Sequence, residues 1–211
     1  MQYQIDYYSE VVRLEVDALP LTLRVRYASL TQRMLEFGPD LGEPHTKALG
    51  AGLLEMRLKG AEGIARVVLH HGGAAHCGAA QLHQEDRQDP RQRPESGPQP
   101  IKGAEKMTAV KKHIPSTVTH ADMVAGWMKD PEFRAEYERL EREEGPMLDA
   151  ILGARREAGL TQAQVAERMG TKAPAVARLE AALVSGKPSP SLATLQKYAA
   201  ALGKRVRVQL V

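Results

Sequence analysis

Apolar residues recur at helical spacing through most of the second half of the chain. Phe133, Tyr137 and Leu140 lie at positions i, i+4 and i+7, which predicts a helix over 131–144 with one apolar stripe. Its other faces are charged, so the stripe is expected to pack on a partner or on a neighbouring helix. The same reasoning predicts further helices over 119–128, 146–158 and around 192–202.

Two more short helices are predicted between Leu160 and Glu180, joined at a glycine. Thr161 is a suitable N-cap for the first, and Gly170 supplies the positive φ that ends it. Pro174 fits the first turn of the second helix, where its missing N–H is not needed. The apolar residues that turn the two helices toward each other are Val165, Ala166, Met169, Val176 and Leu179. This geometry presents a recognition helix to the DNA major groove, and the alternative is an ordinary helical hairpin.

The hairpin resembles the Xre/Cro helix-turn-helix family over about residues 146–203. The residues that carry the resemblance are the start Leu160-Thr161-Gln162, Ala166, Gly170, Val176 and Glu180. The resemblance implies a structural ion pair between Glu180 and Arg155, which lies on the preceding helix. It also implies that operator DNA is contacted by Gln162, Thr171, Lys172, Ala173, Pro174 and Arg178.

Base recognition by this helix is expected to depend on few side chains. Gln162 is expected at a phosphate, and Ala173 stands where family members often carry glutamine. Arg178 can bind guanine through two hydrogen bonds, and Lys172 can reach guanine or phosphate. DNA shape is expected to contribute the remaining specificity.

The first 67 residues have the pattern of an α+β domain. Tyr3, Ile5 and Tyr7 alternate with polar residues, which predicts a strand. Pro20 fits the first turn of a helix. The other predicted elements are helices over 8–18 and 20–36 and a hairpin of strands 54–58 and 64–67.

This N-terminal part resembles HigB-type toxins of the RelE superfamily, which are ribonucleases that cut messenger RNA. The segments that carry the resemblance are Glu36-Phe37-Gly38-Pro39-Asp40, Pro44-His45-Thr46-Lys47-Ala48-Leu49, Leu54-Glu55-Met56-Arg57 and Gly63-Ile64-Ala65-Arg66-Val67. The resemblance implies that Arg57 and Arg66 face the RNA backbone. The alternative is that both are solvated strand charges.

Residues 68–106 interrupt the toxin pattern. They contain no aromatic residue and many Gly, Pro, Gln and His residues, a composition that predicts a low-order linker. Two further strands would be needed to complete a four-stranded toxin sheet, and they are expected to be missing. The N-terminal part is therefore interpreted as a truncated, inactive toxin with no catalytic residues.

A frameshift would explain this interruption. The coding sequence of 75–90, read one nucleotide later, can spell the strand and basic loop that such toxins have next. In that frame Met107-Thr108 forces a stop. We hypothesise that a single-nucleotide shift near Val67 fused a truncated toxin to a complete HigA-type antitoxin. The nucleotide sequence of the gene tests this, since unshifted codons that cannot encode the toxin strand would refute it.

Positive charge is concentrated on the predicted DNA-binding part. The whole chain has a net charge of only +3, but residues 146–211 carry ten Lys/Arg against four Asp/Glu. Residues 107–145 instead carry six Lys/Arg against eight Asp/Glu. This distribution is what phosphate neutralisation requires.

Other functions are less favoured by the composition. The single cysteine excludes an internal disulfide framework and indicates a reducing cytoplasm. No apolar run approaches the ~20 residues that span a bilayer, so no membrane partner is expected. A zinc site must be considered for the cluster His70, His71, His76, Cys77 and His83. Its spacing matches no structural zinc pattern, so neither a metal nor another cofactor is expected.

The last residues, 205–211, alternate strictly between polar and apolar. This predicts a strand with Val206, Val208 and Leu210 on its inner face. Because an unpaired strand edge is a liability, we expect it to pair with the same strand of a second copy in a homodimer. Packing on residues 1–67 of its own chain is the alternative.

These observations predict a mainly α fold with a small α+β N-terminal part, namely a five-helix Xre/Cro-like bundle and an incomplete RelE-like α/β fragment. The expected divisions are a toxin fragment over 1–67, a linker over 68–106, antitoxin helices over 107–145 and the DNA-binding domain over 146–211. The expected function is a non-enzymatic, DNA-binding antitoxin and repressor whose partner is a RelE/HigB-type toxin. The alternative is a RelE-type messenger-RNA endonuclease held in cis by its antitoxin.

Overall fold

A computed structural model describes residues 3–72, 76–85, 116–185 and 190–207, with the backbone alone for 71–72 and 76–85. Its strands are β1 (Gln4–Tyr7), β2 (Thr46–Gly50), β3 (Leu53–Gly60), β4 (Gly63–Gly72) and β5 (His76–Glu85). Its helices are α1 (Glu10–Asp17), α2 (Leu21–Phe37), α3 (His120–Trp127), α4 (Pro131–Ala158), α5 (Gln162–Arg168), α6 (Ala173–Ser185) and α7 (Leu192–Ala201). None of the helices in these segments is long and apolar enough to cross a membrane.

The strands form one sheet in the order β1-β5-β4-β3-β2. β1 runs parallel to β5, and the other neighbours are antiparallel. Along β3, Leu54, Met56 and Leu58 are buried in the core while the residues between them are more exposed. The register of β3 and β4 places Arg57 directly opposite Arg66. These elements confirm the predicted strand over 3–7, the two N-terminal helices and the hairpin.

The sheet does not end at Val67, which corrects the expectation that a linker begins at residue 68. β4 runs to Gly72, and β5 lies between β4 and β1. The segment has low strand propensity, but hydrogen-bonding neighbours on both sides outweigh that propensity. The unshifted chain therefore supplies a strand where the frameshift hypothesis placed one in the shifted frame. Residues 73–75 and 86–106 of the expected linker lie outside the described residues, and the frameshift itself stays a prediction.

Helix α2 is buried on nearly all sides because it lies between the sheet and α4. One continuous hydrophobic core joins the sheet, α2 and the helices that follow residue 116. Among its buried members are Tyr7, Leu23, Tyr27, Met56, Trp127, Phe133, Leu140, Leu148 and Leu152. The toxin-like and antitoxin-like parts of the chain thus share one core.

Helix α4 is a single helix of 28 residues, whereas two helices meeting at Gly145-Pro146 were expected. An interior proline destabilises a helix by about 3 kcal/mol and usually interrupts it. Here both halves of α4 bury apolar residues in the shared core, which holds them in line. Gly145 is buried beside α2, where a Cβ would lie 3.0 Å from Nη2 of Arg33.

A second, smaller core holds the C-terminal helices together. In the described residues this bundle consists of the end of α4 with α5, α6 and α7. Its buried residues are Val165, Ala166, Met169, Val176, Tyr198, Ala201 and Leu202. The predicted apolar faces of the two short helices therefore do pack against each other.

The expected C-terminal strand is not present in the described part of the tail. Arg205, Val206 and Arg207 adopt no strand, and Val206 is 37% exposed rather than turned inward. A strand requires a partner backbone, and none pairs with these three residues among the described segments. Residues 208–211 lie outside the description, so pairing with a second copy stays a prediction.

Candidate nucleic-acid interface

Two local hydrogen-bond motifs shape the helix-turn-helix unit. Thr161 Oγ1 accepts from the Gln164 backbone N–H at 3.3 Å, and Gln164 Oε1 accepts from the Thr161 N–H at 2.8 Å. This reciprocal capping box begins α5. After α5, Gly170 has φ +64°, and the Thr171 N–H donates to the Ala166 carbonyl at 2.8 Å. These bonds end the helix and set the angle at which α6 leaves it.

Glu180 is a buried carboxylate where α4, α5, α6 and α7 meet. Tyr198 Oη donates to it at 2.6 Å and Gln162 Nε2 at 2.7 Å. Arg155 Nε lies 3.3 Å from its Oε1, and the side chains of this ion pair are only 8% and 6% exposed. Burial and the negative charge of Glu180 raise the pKa of Tyr198, so its hydroxyl stays a donor. The structure thus brings Arg155 and Glu180 together inside the bundle.

The predicted DNA-contacting residues fall into two groups. Those that are open to solvent are Thr171, Lys172, Arg178 and also Pro174, at the mouth of a cleft. Those that line a cleft shared with residues 40–48 are Gln162, Ala173 and Pro174. Helix α6 begins at Ala173, so Thr171 and Lys172 precede the helix rather than opening it.

A loop of the N-terminal part contacts this hairpin, and sequence reasoning missed it. The Glu43 backbone N–H donates to Gln162 Oε1 at 3.1 Å, and Gln162 Nε2 donates to the Glu43 carbonyl at 2.7 Å. Arg155 Nη2 donates to the Leu41 carbonyl at 2.5 Å. The partners are 119 and 114 positions apart, and the loop contributes only backbone atoms. Such contacts leave no pattern in a sequence.

Charged pairs join α2 to α4. Arg33 is 4% exposed and forms paired hydrogen bonds of 2.8 Å with both carboxylate oxygens of Glu141. Its Nε also lies 2.8 Å from Asp149 Oδ1. Arg26 contacts both oxygens of Glu144, at 2.5 and 3.0 Å. Burial opposes the charge of Arg33, but Glu141 and Asp149 outweigh it and raise its pKa. The acidic excess of 107–145 is the sequence signal that could have indicated these pairs.

Helix α3 is attached to the N-terminal part by polar groups set within apolar contacts. Trp127 Nε1 donates to Asp17 Oδ1 at 2.6 Å, and the Arg24 guanidinium lies 5.9 Å from the centre of the Trp127 ring. The Tyr7 hydroxyl and His120 Nδ1 share a buried hydrogen bond of 2.9 Å. Burial lowers the pKa of His120 to about 4, so its ring is neutral near pH 7.

The two candidate RNA-facing arginines share one carboxylate. Glu55 Oε1 accepts from Arg66 Nη1 at 2.8 Å and from Arg57 Nη2 at 3.4 Å. Arg57 is 44% exposed at its side chain and Arg66 is 24% exposed. The structure thus brings both arginines to one face of the sheet, where a neighbouring carboxylate partly neutralises them.

A cleft of about 750 Å³ lies between the end of β3, α2, α4 and the end of α6. Arg57 and Lys59 line it from the sheet, while Glu136 and Glu144 line it from α4. His45 also borders it, and burial lowers the pKa of His45 to about 4. A neutral His45 supplies no positive charge to this cleft near pH 7. The positive charges that line the cleft therefore come from its arginines and from Lys59.

The histidine–cysteine cluster is only partly described. His70 is exposed on β4, and the side chains of His71, His76, Cys77 and His83 lie outside the description. Among the residues whose side chains are described, no group of three His, Cys, Asp or Glu residues is placed to hold a metal ion.

Comparison with known proteins finds a family match at each end of the chain. Residues 152–208 match the helix-turn-helix family model, and residues 15–75 match the model of the phage-derived protein Gp49-like family. The chain is similar to antitoxin HigA1 of two Mycobacterium tuberculosis strains, CDC 1551 / Oshkosh and ATCC 25618 / H37Rv. In each case it is 40% identical over 82 residues, which cover 38% of this chain and 51% of the relative.

The chain spans about half the length of these curated relatives. No solved structure matches it. The matches support the two resemblances found in the sequence, to an Xre-type helix-turn-helix domain at the C-terminal end and to the RelE/HigB superfamily at the N-terminal end. The chain therefore combines a HigA-like part with a toxin-like part.

Proposed function

We propose that this chain is a sequence-specific DNA-binding antitoxin that represses a type II toxin–antitoxin operon from within the cytoplasm. The observation that carries the proposal is the exposed recognition surface. Arg178 projects from α6 and Lys172 precedes it, on a hairpin whose interior is held by the buried Glu180. An arginine on such a helix can bind guanine through two hydrogen bonds. The similarity to antitoxin HigA1 supports the same function.

We propose that the partner of the antitoxin part is a RelE/HigB-type toxin. Within this chain, the N-terminal domain occupies the position of that toxin. Three observations support this: the continuous core, the Arg33 pairs with Glu141 and Asp149, and the Arg26 pair with Glu144. Partly buried arginine–carboxylate pairs of this kind fix the orientation of two packed elements. We infer that the toxin-like domain is held in an inactive state.

A second candidate function is a ribonuclease held in cis, and the completed sheet favours it. β5 closes the sheet, and the register places Arg57 beside Arg66 as an RNA-binding face would require. Two arginines can stabilise the charge that develops on a phosphate during cleavage. Against this candidate, Glu55 forms ion pairs with both arginines. Glu136 and Glu144 also line the neighbouring cleft, where their negative charge would repel RNA.

We further propose that the active DNA-binding form is a homodimer assembled through residues 205–211. Two copies related by a two-fold axis would present two recognition helices to half-sites about one DNA turn apart. The exposure of Val206 in the single chain leaves it available to a second copy. Deleting 205–211 should give a monomer with weaker operator binding, measured by sedimentation and by DNA titration. A truncated chain that still sediments as a dimer places the interface elsewhere.

The DNA-binding proposal is tested by titrating the full chain against the DNA upstream of its own gene. Arg178→Ala should weaken binding by about 1–3 kcal/mol and relax specificity at one base pair. Lys129→Ala removes the same charge from the exposed turn that follows α3 and should leave affinity unchanged. Equal affinity for wild type and Arg178→Ala would remove Arg178 from base recognition.

The choice between antitoxin and ribonuclease is tested by expression and RNA cleavage. The intact chain should cause no growth arrest and should leave messenger RNA uncut. Growth arrest that disappears in Arg66→Ala would favour the ribonuclease instead. Lys47→Ala, at an exposed position on β2, controls for loss of one positive charge from the same sheet.

A further inference from the structure

The side chain of Gln162 has no hydrogen-bond donor left for DNA. Its two Nε2 hydrogens are directed to the Glu43 carbonyl and to Glu180 Oε2, both at 2.7 Å. Its Oε1 accepts from the Glu43 N–H at 3.1 Å. A primary amide has two donor hydrogens. A phosphate at the start of α5 would therefore have to displace the Glu43 backbone.

We propose that residues 40–46, the masking loop, compete with operator DNA for the same surface of the helix-turn-helix, so that the toxin-like domain restrains DNA binding within its own chain. This inference rests on the proposed DNA-binding function. It adds to that function an internal competitor whose strength sets the affinity for the operator.

The masking loop is built to fit this surface closely. Gly42 has φ +82°, and a Cβ at this position would lie 2.8 Å from the side-chain carbon of Gln162. Asp40 Oδ1 accepts hydrogen bonds of 3.0 Å from the Gly42 N–H and from Thr46 Oγ1. Thr46 is 2% exposed, so the loop is fixed from inside the N-terminal domain. A preformed loop loses little conformational entropy when it docks.

Arg155 supplies a second attachment point. Its Nη2 donates to the Leu41 carbonyl at 2.5 Å, while its Nε lies 3.3 Å from Glu180. The loop is thus joined to the same buried ion pair that organises the four C-terminal helices. Docking and the internal geometry of the DNA-binding domain are linked through one guanidinium group.

Charge and shape also oppose DNA at the docked surface. Asp40 and Glu43 are exposed acidic residues beside the start of α5, where they would repel a phosphate. The cleft between the loop and the first turn of α6 has a volume of about 500 Å³. That is the size of a small-molecule site. To reach base edges, a recognition helix must enter a major groove about 12 Å wide, which is bordered by two phosphate strands. The docked loop leaves no room for such a strand beside the first turn of α6.

The competition requires a local displacement of the loop. Because α2 and α4 share one hydrophobic core, and Leu41 and Thr46 stay buried in the N-terminal part, the two halves of the chain remain joined while the backbone at Gly42 and Glu43 moves away from Gln162. If the loop is docked in about nine molecules of ten, the apparent operator affinity is about tenfold below that of the undocked form. A tenfold change corresponds to ~1.4 kcal/mol.

The test compares two glycine variants of the full chain. Gly42→Ala pushes a methyl group into Gln162, whereas Gly50→Ala imposes similar backbone strain at φ +92° with nothing within 4 Å. Affinity is measured by fluorescence anisotropy with DNA upstream of its own gene and with a scrambled duplex. We expect Gly42→Ala to bind the upstream DNA about tenfold more tightly than wild type, and Gly50→Ala to bind like wild type.

Equal affinities for wild type and both variants would overturn the masking loop while leaving the proposed DNA binding intact. If no variant distinguishes upstream DNA from the scrambled duplex, the DNA-binding function itself fails, and the inference fails with it.

A second measurement uses the unaltered chain and does not depend on how a variant folds. Hydrogen exchange at residues 40–46 is followed with and without the upstream DNA. Displacement of the loop predicts faster exchange at the Glu43 amide, which donates to Gln162 in the docked form. It also predicts slower exchange across α5 and α6. Unchanged or slower exchange of the loop in the DNA-bound protein would overturn the proposal.

Discussion

The ion pair between Arg155 and Glu180 should stabilise the fold far more than a surface pair does. Arg155→Met leaves the buried Glu180 carboxylate without its counter-charge. Glu180→Gln likewise leaves the buried Arg155 guanidinium without its counter-charge. The gross attraction at 3.3 Å, with an effective dielectric constant near 20, is about 5 kcal/mol. Removing one partner of a buried pair destabilises by about 3–5 kcal/mol. We expect the lower end, about 3 kcal/mol, because Tyr198 and Gln162 still donate to Glu180.

The assay is a double-mutant cycle in the free energy of unfolding, measured by urea titration with circular dichroism. The double variant should be more stable than the sum of the two single losses predicts, by about 2 kcal/mol. The exposed pair Arg139–Glu143 on α4, substituted in the same way, is the matched control. Its coupling should stay below about 1 kcal/mol. A coupling for Arg155 and Glu180 no larger than that of the control would refute the reasoning.

Two further predictions concern the contact between the halves of the chain. The pKa of His120 is about 4 in the folded chain and about 6.5 in the unfolded chain. Between these values the unfolded chain binds more protons, so acid favours unfolding. Lowering the pH from 7 to 5 should therefore reduce the free energy of unfolding by about 2 kcal/mol through this residue. His120→Gln keeps a hydrogen-bond partner for Tyr7 and should flatten that part of the pH dependence; an unchanged slope in urea titrations would assign it to other groups. Arg33→Met should destabilise by about 2–3 kcal/mol, less than a fully buried pair because Glu141 retains contact with solvent. Arg142→Met, at an exposed position on α4, should change little, and equal losses in the two variants would show that the Arg33 pairs contribute nothing specific.

The sequence by itself determined the helix-turn-helix and much of the N-terminal fold. Thr161 and Gly170 act within one turn of the helix end that they cap, so their effect can be read without knowing the rest of the chain. The alternation of Leu54, Met56 and Leu58 likewise reflects a local geometry of period two. The partnership of Arg155 with Glu180 came from the family resemblance, and the structure places the two side chains in contact.

Only the tertiary structure decided which backbone segments meet. The segment 76–85 has a weak strand pattern, and it forms β5 because β1 and β4 lie on either side of it. Helix α4 continues through Pro146 because packing on α2 outweighs a local tendency to break. The contact of Glu43 with Gln162 joins a loop backbone to a side chain 119 positions away. Contacts of this kind depend on the path of the chain in space, which no local pattern of residue types encodes.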